Sequence, residues 1–177
     1  MNLFVIRHGQ TEQNVKKVVQ GVTDSELTQE GILQIEKLKP LIDEKKIDRI
    51  IASPLKRAMR TAEIISDGRL PVNVDDRLQE RNWGLYEQIE ISKVDRINCW
   101  NYYLNTKDNS IEPIQDFMKR IGEVLWELKI KYEDQNILLV THSAVTRAIY
   151  YYVYGIPEDG DMTKFDVPNL GILECQL

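Results

Sequence analysis

Cysteine and long apolar runs are scarce in this 177-residue sequence. Only two cysteines occur, Cys99 and Cys175, too few and too far apart for a disulfide framework, so we expect reduced thiols and a cytoplasmic protein. The longest apolar run, residues 148–154, is far shorter than the roughly 18 residues of a membrane span. The apolar run 3–6 ends at Arg7, which argues against a secretory signal and for a mature chain that begins near Met1.

Several common phosphate-binding and metal-binding patterns are also absent. The sequence has no GxxxxGK[ST] loop, no GxGxxG turn and no HExxH pair, and its histidines and cysteines are too few for a zinc cage. A net charge of −5 argues against a broad nucleic-acid-binding surface. No repeat, low-complexity tract or linker divides the chain, and its length suits one hydrophobic core. A single domain over residues 1–177 is therefore expected.

Short, β-branched apolar runs alternate with amphipathic patterns along most of the chain. This alternation favours a mostly parallel sheet that is covered by helices on both faces. The expected fold class is therefore α/β, with three layers in the order α/β/α. Strands are predicted at residues 3–6, 50–52, 72–74, 137–140 and 170–175.

Helices are predicted between these strands. Thr28 is a typical N-cap, and Pro40 should kink or stop the helix that begins there. Ser53 and Pro54 are a typical N-cap and first-turn pair for a helix that runs to about Ile65. Further helices are predicted at residues 113–132 and 145–154, where apolar residues recur at helical spacing.

The chain has two histidines, and both follow the same local pattern. His8 and His142 each come after a four-residue apolar run and one polar residue, and each precedes a small residue. Because the carboxyl ends of parallel strands border one crevice, both imidazoles should meet there. A lone histidine is usually structural, whereas two that separate strands place alike favour a functional site.

Two arginines stand next to this predicted crevice. Arg7 directly precedes His8, and Arg57 lies in the first turn of the helix predicted after Ser53. A guanidinium close to the free N–H groups of a helix N-terminus suits a dianion, so phosphate is the expected ligand. Arg57 by itself would be interpreted as a solvated helix charge, and it gains weight only from its neighbours.

Ordered blocks along nearly the whole chain resemble one family. Arg7-His8-Gly9, within the stretch 3–14, resembles the Arg-His-Gly signature of the histidine phosphatase superfamily, the phosphoglycerate-mutase-like proteins. A tripeptide recurs by chance, but several blocks in the same order are specific. The further matching blocks include Gln20-Gly21, Ser53-Pro54-Leu55-Lys56-Arg57-Ala58, Leu78-Gln79-Glu80, and Val140-Thr141-His142 with Arg147-Ala148.

The resemblance implies a role for each matched position. His8 is implied to be the nucleophile that becomes phosphorylated, and Glu80 the general acid and base. The implied phosphate pocket consists of Arg7, Asn14, Arg57 and His142. The family positions that line the substrate mouth are matched by Thr11, Gln20 and Gly21.

The chemistry of these residues is consistent with phosphoryl transfer that needs no metal or cofactor. Neutral imidazole is a competent nucleophile near pH 7, and a phosphohistidine divides one hard displacement into two easier ones. Two arginines and a second imidazole can offset the phosphoryl charge, as magnesium does elsewhere. The leaving alkoxide needs a proton, which calls for a raised pKa at Glu80. Its position alone would equally allow an exposed carboxylate that pairs with Arg81.

Some positions depart from the family pattern. Glu26 stands where the family often has proline, and residues 110–113 replace a Gly-Gly-Glu-Ser-like stretch. Ser143 follows the second histidine, where glycine is usual. Its hydroxyl could narrow the pocket or lie near the phosphate, so Ser143 is included among the predicted binding residues.

Residues 86–112 show no clean period and fall where the family shapes a substrate lid. We therefore expect an irregular lid or insertion there. The aromatic residues Trp83, Trp100, Tyr102 and Tyr103 could form an apolar wall for the substrate or a small core of the insertion itself. The second interpretation is slightly favoured.

The expected function is a metal-independent phosphomonoesterase that acts on a small phosphorylated metabolite through a phosphohistidine. One alternative is a phosphoglycerate mutase, which is less favoured because its lid needs more basic residues than Lys93, Arg96 and Lys107. A non-catalytic phospho-ligand-binding protein is a further alternative, which the retained His8 and Glu80 disfavour. No nucleic-acid or membrane partner is expected, and the chain should be a monomer or a homodimer.

Overall fold

A five-stranded mixed sheet forms the centre of the protein in a computed structural model that describes residues 1–107 and 110–177. Its strands are β1 (Asn2–Arg7), β2 (Arg49–Ala52), β3 (Val72–Val74), β4 (Asn136–Thr141) and β5 (Ile172–Gln176). The strand order is β3-β2-β4-β1-β5. The first four strands are parallel, and β5 pairs antiparallel with β1.

Helices cover both faces of this sheet. They are α1 (Glu12–Lys16), α2 (Gln29–Glu44), α3 (Lys56–Ser66), α4 (Arg96–Cys99), α5 (Ile114–Lys131) and α6 (Ser143–Tyr154). Leu3 and Val5 of β1 join the apolar core beneath α5 and α6, whereas Ile6 joins the core beneath α2 and α3. Side chains of a strand alternate between its two faces, so one short strand serves both cores. The predicted three-layer α/β/α fold is thereby confirmed.

The register of β1 and β4 brings the two histidines together. Arg7 pairs with Thr141 across the two strands, so His8 and His142 each follow the same rung of the sheet. The His8 N–H donates a hydrogen bond of 2.8 Å to the Thr141 carbonyl. Both imidazoles therefore leave the sheet at one carboxyl edge, as the sequence pattern predicted.

The sequence predicted that Pro40 would kink or stop this helix, and α2 does not stop there. The Thr28 side chain accepts a hydrogen bond from Gly31 N–H as the predicted N-cap, but the helix continues through Pro40 to Glu44. Proline removes one backbone donor, which would otherwise bond the carbonyl of Glu36. Both residues are exposed, so water can satisfy that carbonyl and the helix continues.

The predicted N-cap at Ser53 is wrong. The helix α3 begins at Lys56, and its N-cap is Leu55, which makes no side-chain hydrogen bond. The Ser53 hydroxyl accepts the Leu55 N–H at 3.3 Å and also lies 2.7 Å from Nε2 of His142. It is thus shared between the local backbone and a residue 89 positions away.

The predicted lid begins as a series of short turns and ends before α5. Its described residues include the 3₁₀ turn Ile91–Lys93 and α4, and Asp108 and Asn109 within it lie outside the described part of the chain. Backbone hydrogen bonds join its first part to the loop after α1, where Val19 N–H donates to Ile89 and Gln88 N–H donates back to Val19. In the described part of the chain, no helix combines the length and apolarity that a membrane crossing needs.

Candidate active site

A cavity of about 210 Å³ opens where β1 and β4 end. The predicted site residues that line it are Arg7, His8, Asn14, Gln20, Gly21, Arg57, Glu80 and Ser143. Within the described part of the chain, Thr11 and His142 are not on the wall but are fully buried behind it. The structure thus brings residues from most of the matched blocks to one place.

His8 is held in one tautomer by its two neighbours. Its Nδ1 lies 2.8 Å from the Gly9 carbonyl, which can only accept, so Nδ1 carries the proton. Its Nε2 lies 3.2 Å from the Arg57 Nε–H, which can only donate. Burial lowers the pKa of His8 well below its usual value, and the charges of Arg57 and Arg7 lower it further. The ring is therefore neutral, with its lone pair on Nε2.

Arg57 is a buried cation that backbone carbonyls hold in place. Its Nη1 donates to the Thr23 carbonyl at 2.8 Å, and its Nη2 donates to the Gly21 carbonyl at 2.7 Å. Gly21 has φ +57°, and a Cβ there would overlap the carboxylate of Glu87 at 2.1 Å. Glycine at this position therefore lets the loop turn tightly enough to present its carbonyl to Arg57.

Arg7 and His142 complete the cationic and imidazole side of the site. Arg7 Nη1 donates to the Val167 carbonyl at 2.7 Å, while its buried Nε–H has no hydrogen-bond partner among the described residues. The ring centroids of His8 and His142 are 5.2 Å apart. His142 uses Nε2 for Ser53, and its buried Nδ1 likewise has no partner within the described chain. Burial lowers the pKa of His142 well below its usual value, so this ring is also neutral.

Glu80 is a buried carboxyl group on the cavity wall. Its Oε1 accepts the Arg81 N–H at 2.8 Å, and its Oε2 accepts the Ala144 N–H at 3.2 Å at the start of α6. Burial raises the pKa of Glu80, and these two N–H groups and Arg57 only partly oppose that effect. Arg81 turns its guanidinium away to the carbonyls of Glu112 and Cys99, so the alternative of an exposed Glu80–Arg81 pair is wrong.

The other predicted residues support the mouth of the cavity. Asn14 Oδ1 accepts the Thr11 N–H at 3.0 Å and the Asn169 Nδ2–H at 3.1 Å. The Thr11 hydroxyl accepts the Asn14 N–H and lies 3.1 Å from Gln20 Oε1. Thr11 is thus the link between Asn14 and Gln20, which explains why it lies behind the wall rather than on it.

Sequence reasoning missed a cluster of charged residues on the same wall. Arg147 and Asp166 line the cavity and form an ion pair of 3.4 Å, and Arg96 lies 3.8 Å from the other Asp166 oxygen. The Ser143 hydroxyl donates a hydrogen bond to Asp166 at 2.7 Å. The sequence had instead suggested a position near the phosphate for this hydroxyl. Arg147 lay in a matched block, but nothing local in the sequence indicates Asp166.

The remaining wall of the cavity is apolar. Trp83 and Trp100 lie on it and are also buried against each other, with ring centroids 5.8 Å apart. Both interpretations of these tryptophans therefore hold at once, whereas Tyr103 is mostly exposed. The aliphatic lining residues are Val18, Val19, Ile91 and Val94.

This arrangement combines a nucleophile, cations and a proton donor in one cavity. A neutral imidazole with an available lone pair can attack phosphorus, two buried guanidinium groups can balance a phosphoryl dianion, and a carboxyl group with a raised pKa can give up a proton. In the described part of the chain, no three His, Cys, Asp or Glu side chains are grouped as metal ligands would be.

Comparison with known proteins agrees with this geometry. A family model described as the histidine phosphatase superfamily (branch 1) matches residues 3–177. "Putative phosphoserine phosphatase 2" of Hydrogenobacter thermophilus is 33% identical and aligns with 99% of this chain and 89% of its own length. The adenosylcobalamin/alpha-ribazole phosphatase of Escherichia coli is 30% identical over 90% of this chain and 82% of its own length.

A solved structure supports the same conclusion. Bacillus stearothermophilus YhfR superposes with a TM-score of 0.86 at 26% identity, over 98% of this chain and 89% of its own chain. Other relatives carry phosphoglycerate mutase names, so the matches include names of both kinds. With a family model that spans nearly its whole length and a fold to match, the chain belongs to the histidine phosphatase superfamily.

Proposed function

We propose that the protein is a phosphomonoesterase that hydrolyses small phosphorylated molecules through a phosphohistidine on His8, without a metal ion. The observation that carries this proposal is the fixed tautomer of His8. A carbonyl at Nδ1 and a guanidinium N–H at Nε2 leave the nucleophilic lone pair on the nitrogen beside Arg57. Names of phosphatases among the relatives support the same reaction class.

In the first step, Nε2 of His8 attacks phosphorus and the bond from phosphorus to the ester oxygen breaks. Arg57 Nε–H then turns from Nε2 to a phosphoryl oxygen, and the unpartnered Nε–H of Arg7 offers a second hydrogen bond. Glu80, whose protonated form is favoured by burial, gives its proton to the departing alcohol oxygen. The products of this step are the free alcohol, phospho-His8 and an ionised Glu80.

In the second step, Glu80 acts as the base. Its carboxylate takes a proton from a water molecule, the water oxygen attacks phosphorus, and the Nε2–phosphorus bond breaks. Inorganic phosphate leaves, and both Glu80 and His8 return to their starting protonation states. His142 lies beside the His8 ring, where a proton on its unpartnered Nδ1 would provide another donor to the phosphoryl group.

Phosphoglycerate mutase is the second candidate, because relatives with that name match this chain. The structure adds one observation in its favour, since Arg96 and Arg147 provide cationic groups on the cavity wall besides Arg7 and Arg57. Arg96 was already counted among the basic residues of the predicted lid, and Arg147 of α6 adds a further cation. A mutase must also exclude water from the phosphoenzyme and return the phosphoryl group to its substrate.

The deciding experiment follows both the intermediate and the product. Denaturation during turnover should trap an acid-labile, alkali-stable phosphate on the peptide that contains His8. A good monoester substrate should release stoichiometric inorganic phosphate. With 3-phosphoglycerate, with and without a 2,3-bisphosphoglycerate primer, little 2-phosphoglycerate should form.

Two controls make this experiment decisive. His8→Ala should abolish both labelling and turnover, and near wild-type activity in that variant would refute the mechanism. Primer-dependent isomerisation far faster than phosphate release would replace the phosphatase by the mutase, while the role of His8 would stand.

A further inference from the structure

The cavity has a second charged cluster that the phosphoryl chemistry does not use. It consists of Arg96 from α4, Arg147 from α6 and Asp166 from the loop before β5. All of them line the same cavity as His8 and Glu80. A ligand whose phosphate lies against His8 therefore extends its alcohol half along a wall that carries both positive and negative charge.

Arg147 has hydrogen-bonding capacity that the protein leaves unused. Its side chain is only 2% exposed, and its guanidinium lies over the Trp100 ring at 4.2 Å. Its Nε donates to the Phe165 carbonyl at 2.6 Å, whereas its Nη2 lies 3.4 Å from Asp166 Oδ1 and makes no hydrogen bond to any described residue. A buried, charged donor of this kind is costly unless an acceptor reaches it. A ligand oxygen in the cavity is the natural acceptor.

Asp166 is fixed by one oxygen and leaves the other for a ligand. Its Oδ1 accepts the Ser143 hydroxyl at 2.7 Å and the Val167 N–H at 2.9 Å. Its Oδ2 lies 3.8 Å from Arg96, too far for a strong hydrogen bond. Oδ2 can therefore accept from an ammonium or hydroxyl group of the ligand. Ser143, which stands where the family usually has glycine, donates one of the two hydrogen bonds that orient this carboxylate.

We propose that Arg96, Arg147 and Asp166 select phosphomonoesters whose alcohol half carries a carboxylate next to an ammonium or hydroxyl group. This inference rests on the proposed function. The two arginines would bind the carboxylate, and Asp166 Oδ2 would accept from the neighbouring donor. The cavity of about 210 Å³ has room for the phosphate and an alcohol half of a few carbon atoms.

Two pairs of phosphate esters test the selection, since the members of each pair differ mainly by the carboxylate. O-phosphoserine is compared with O-phosphoethanolamine, and 3-phosphoglycerate with glycerol 3-phosphate. The measured quantity is the ratio of kcat/KM within each pair. The wild-type protein should favour the carboxylate-bearing ester by about 10- to 100-fold, as expected for a charged hydrogen bond that is made or lost.

The variants separate recognition from structural support. Arg96→Met, at a half-exposed position, should lower the ratio severalfold, and Arg147→Met should bring it close to one. Arg147→Lys keeps the charge if the methionine variant does not fold. The matched control is Lys93→Met, from the same segment but at an exposed position outside the cavity wall, which should leave the ratio unchanged. A purely structural role for Arg147 would lower kcat/KM equally for both esters.

The possible outcomes also distinguish this inference from the proposed function. Hydrolysis of both esters with a ratio near one in the wild type, or a ratio unaffected by both arginine variants, would overturn the inference and leave the phosphatase intact. If neither these esters nor an activated aryl phosphate is hydrolysed, the proposed function fails. Calorimetric binding of the same pairs then decides the inference, because selective binding of the carboxylate-bearing ester would still support it and equal binding would refute it.

Discussion

Glu80 illustrates how a single side chain acquires its chemistry from its surroundings. The carboxyl group is buried, which disfavours its charged form and raises its pKa, whereas two backbone N–H groups and Arg57 favour the charged form. The balance leaves a group that can give up a proton to an alkoxide and later take one from water. Neither role would suit a carboxyl group in open solvent at neutral pH.

Replacement of Glu80 by glutamine should therefore matter in proportion to the leaving group's need for a proton. Glu80→Gln should lower kcat by roughly 10²- to 10⁴-fold for an alkyl phosphate, and much less for an aryl phosphate whose phenolate leaves unaided. Steady-state kinetics on one ester of each kind measures the difference. Equal losses on both esters would assign Glu80 a binding or structural role instead.

The two buried histidines make stability depend on pH. Burial lowers the pKa of His8 and of His142, so both stay neutral in the folded protein while they protonate near pH 6.5 in the unfolded chain. The unfolded state then binds more protons below pH 6.5, and folding stability falls as the pH falls. Their contribution is complete above that pH and is lost on acidification.

Urea unfolding at pH 6.5 and pH 5.5 measures this effect. Each histidine should reduce the free energy of unfolding by about 1 kcal/mol over that interval, or about 2 kcal/mol for the pair. A His8→Asn variant should lose about half as much as the wild type. An identical pH dependence in the variant would contradict the neutral, buried state of His8.

At the level of secondary structure, α5 holds the segment that carries Glu80. Arg120 Nη1 donates to the carbonyls of Arg77 and Gln79 at 2.5 and 3.0 Å. Its Nε and Nη2 bind the Glu112 carboxylate at 3.0 and 2.8 Å. The Glu112 carbonyl in turn accepts from Arg81 Nε at 2.8 Å, so both sides of Glu80 are attached to this network.

Loss of this attachment should disturb proton transfer more than phosphate binding. Arg120→Met should lower kcat for an alkyl phosphate about 10- to 100-fold, because small errors in position weaken an aligned catalytic group by such factors. The aryl phosphate should lose less, since it needs no proton from Glu80. Lys119→Met, at the exposed neighbouring position on the same helix, is the matched control. Equal losses on the two esters would indicate general destabilisation.

At the level of the whole molecule, charge is distributed so that an acidic protein concentrates cations in its cavity. The net charge is −5, yet Arg7, Arg57, Arg96 and Arg147 all line that cavity. Burial lowers the pKa of Arg7, Arg57 and Arg147, and nearby carboxylates partly offset that effect. These fixed charges can stabilise a phosphoryl dianion where other enzymes use magnesium.

Thorough chelation should therefore leave the rate of ester hydrolysis almost unchanged. The measurement compares kcat/KM before and after dialysis against a strong chelator, and again after magnesium or zinc is added back. A loss of activity that either metal restores would show that the arginines do not supply enough charge for the reaction.

The sequence alone determined the fold class and the residues at the centre of the candidate site. His8 and His142 follow apolar runs that become neighbouring parallel strands, and a shared carboxyl edge follows from that topology. Arg7 is the last residue of its strand, and Arg57 lies in the first turn of its helix. The sequence pattern of that strand and that helix was therefore enough to predict both arginines near His8. The end of a strand and the start of a helix each depend on a few neighbouring residues. Side chains at such places can therefore be located from the sequence.

Only the tertiary structure decided which side chains join that centre and how. Ser53, the predicted N-cap, bonds His142 across 89 positions, and Asp166 bonds Ser143 across 23. Arg81 turns away from Glu80 because backbone carbonyls of a distant segment bind it. Hydrogen bonds of this kind form between residues far apart in the chain, so their geometry exists only after the sheet and its two helical layers have packed.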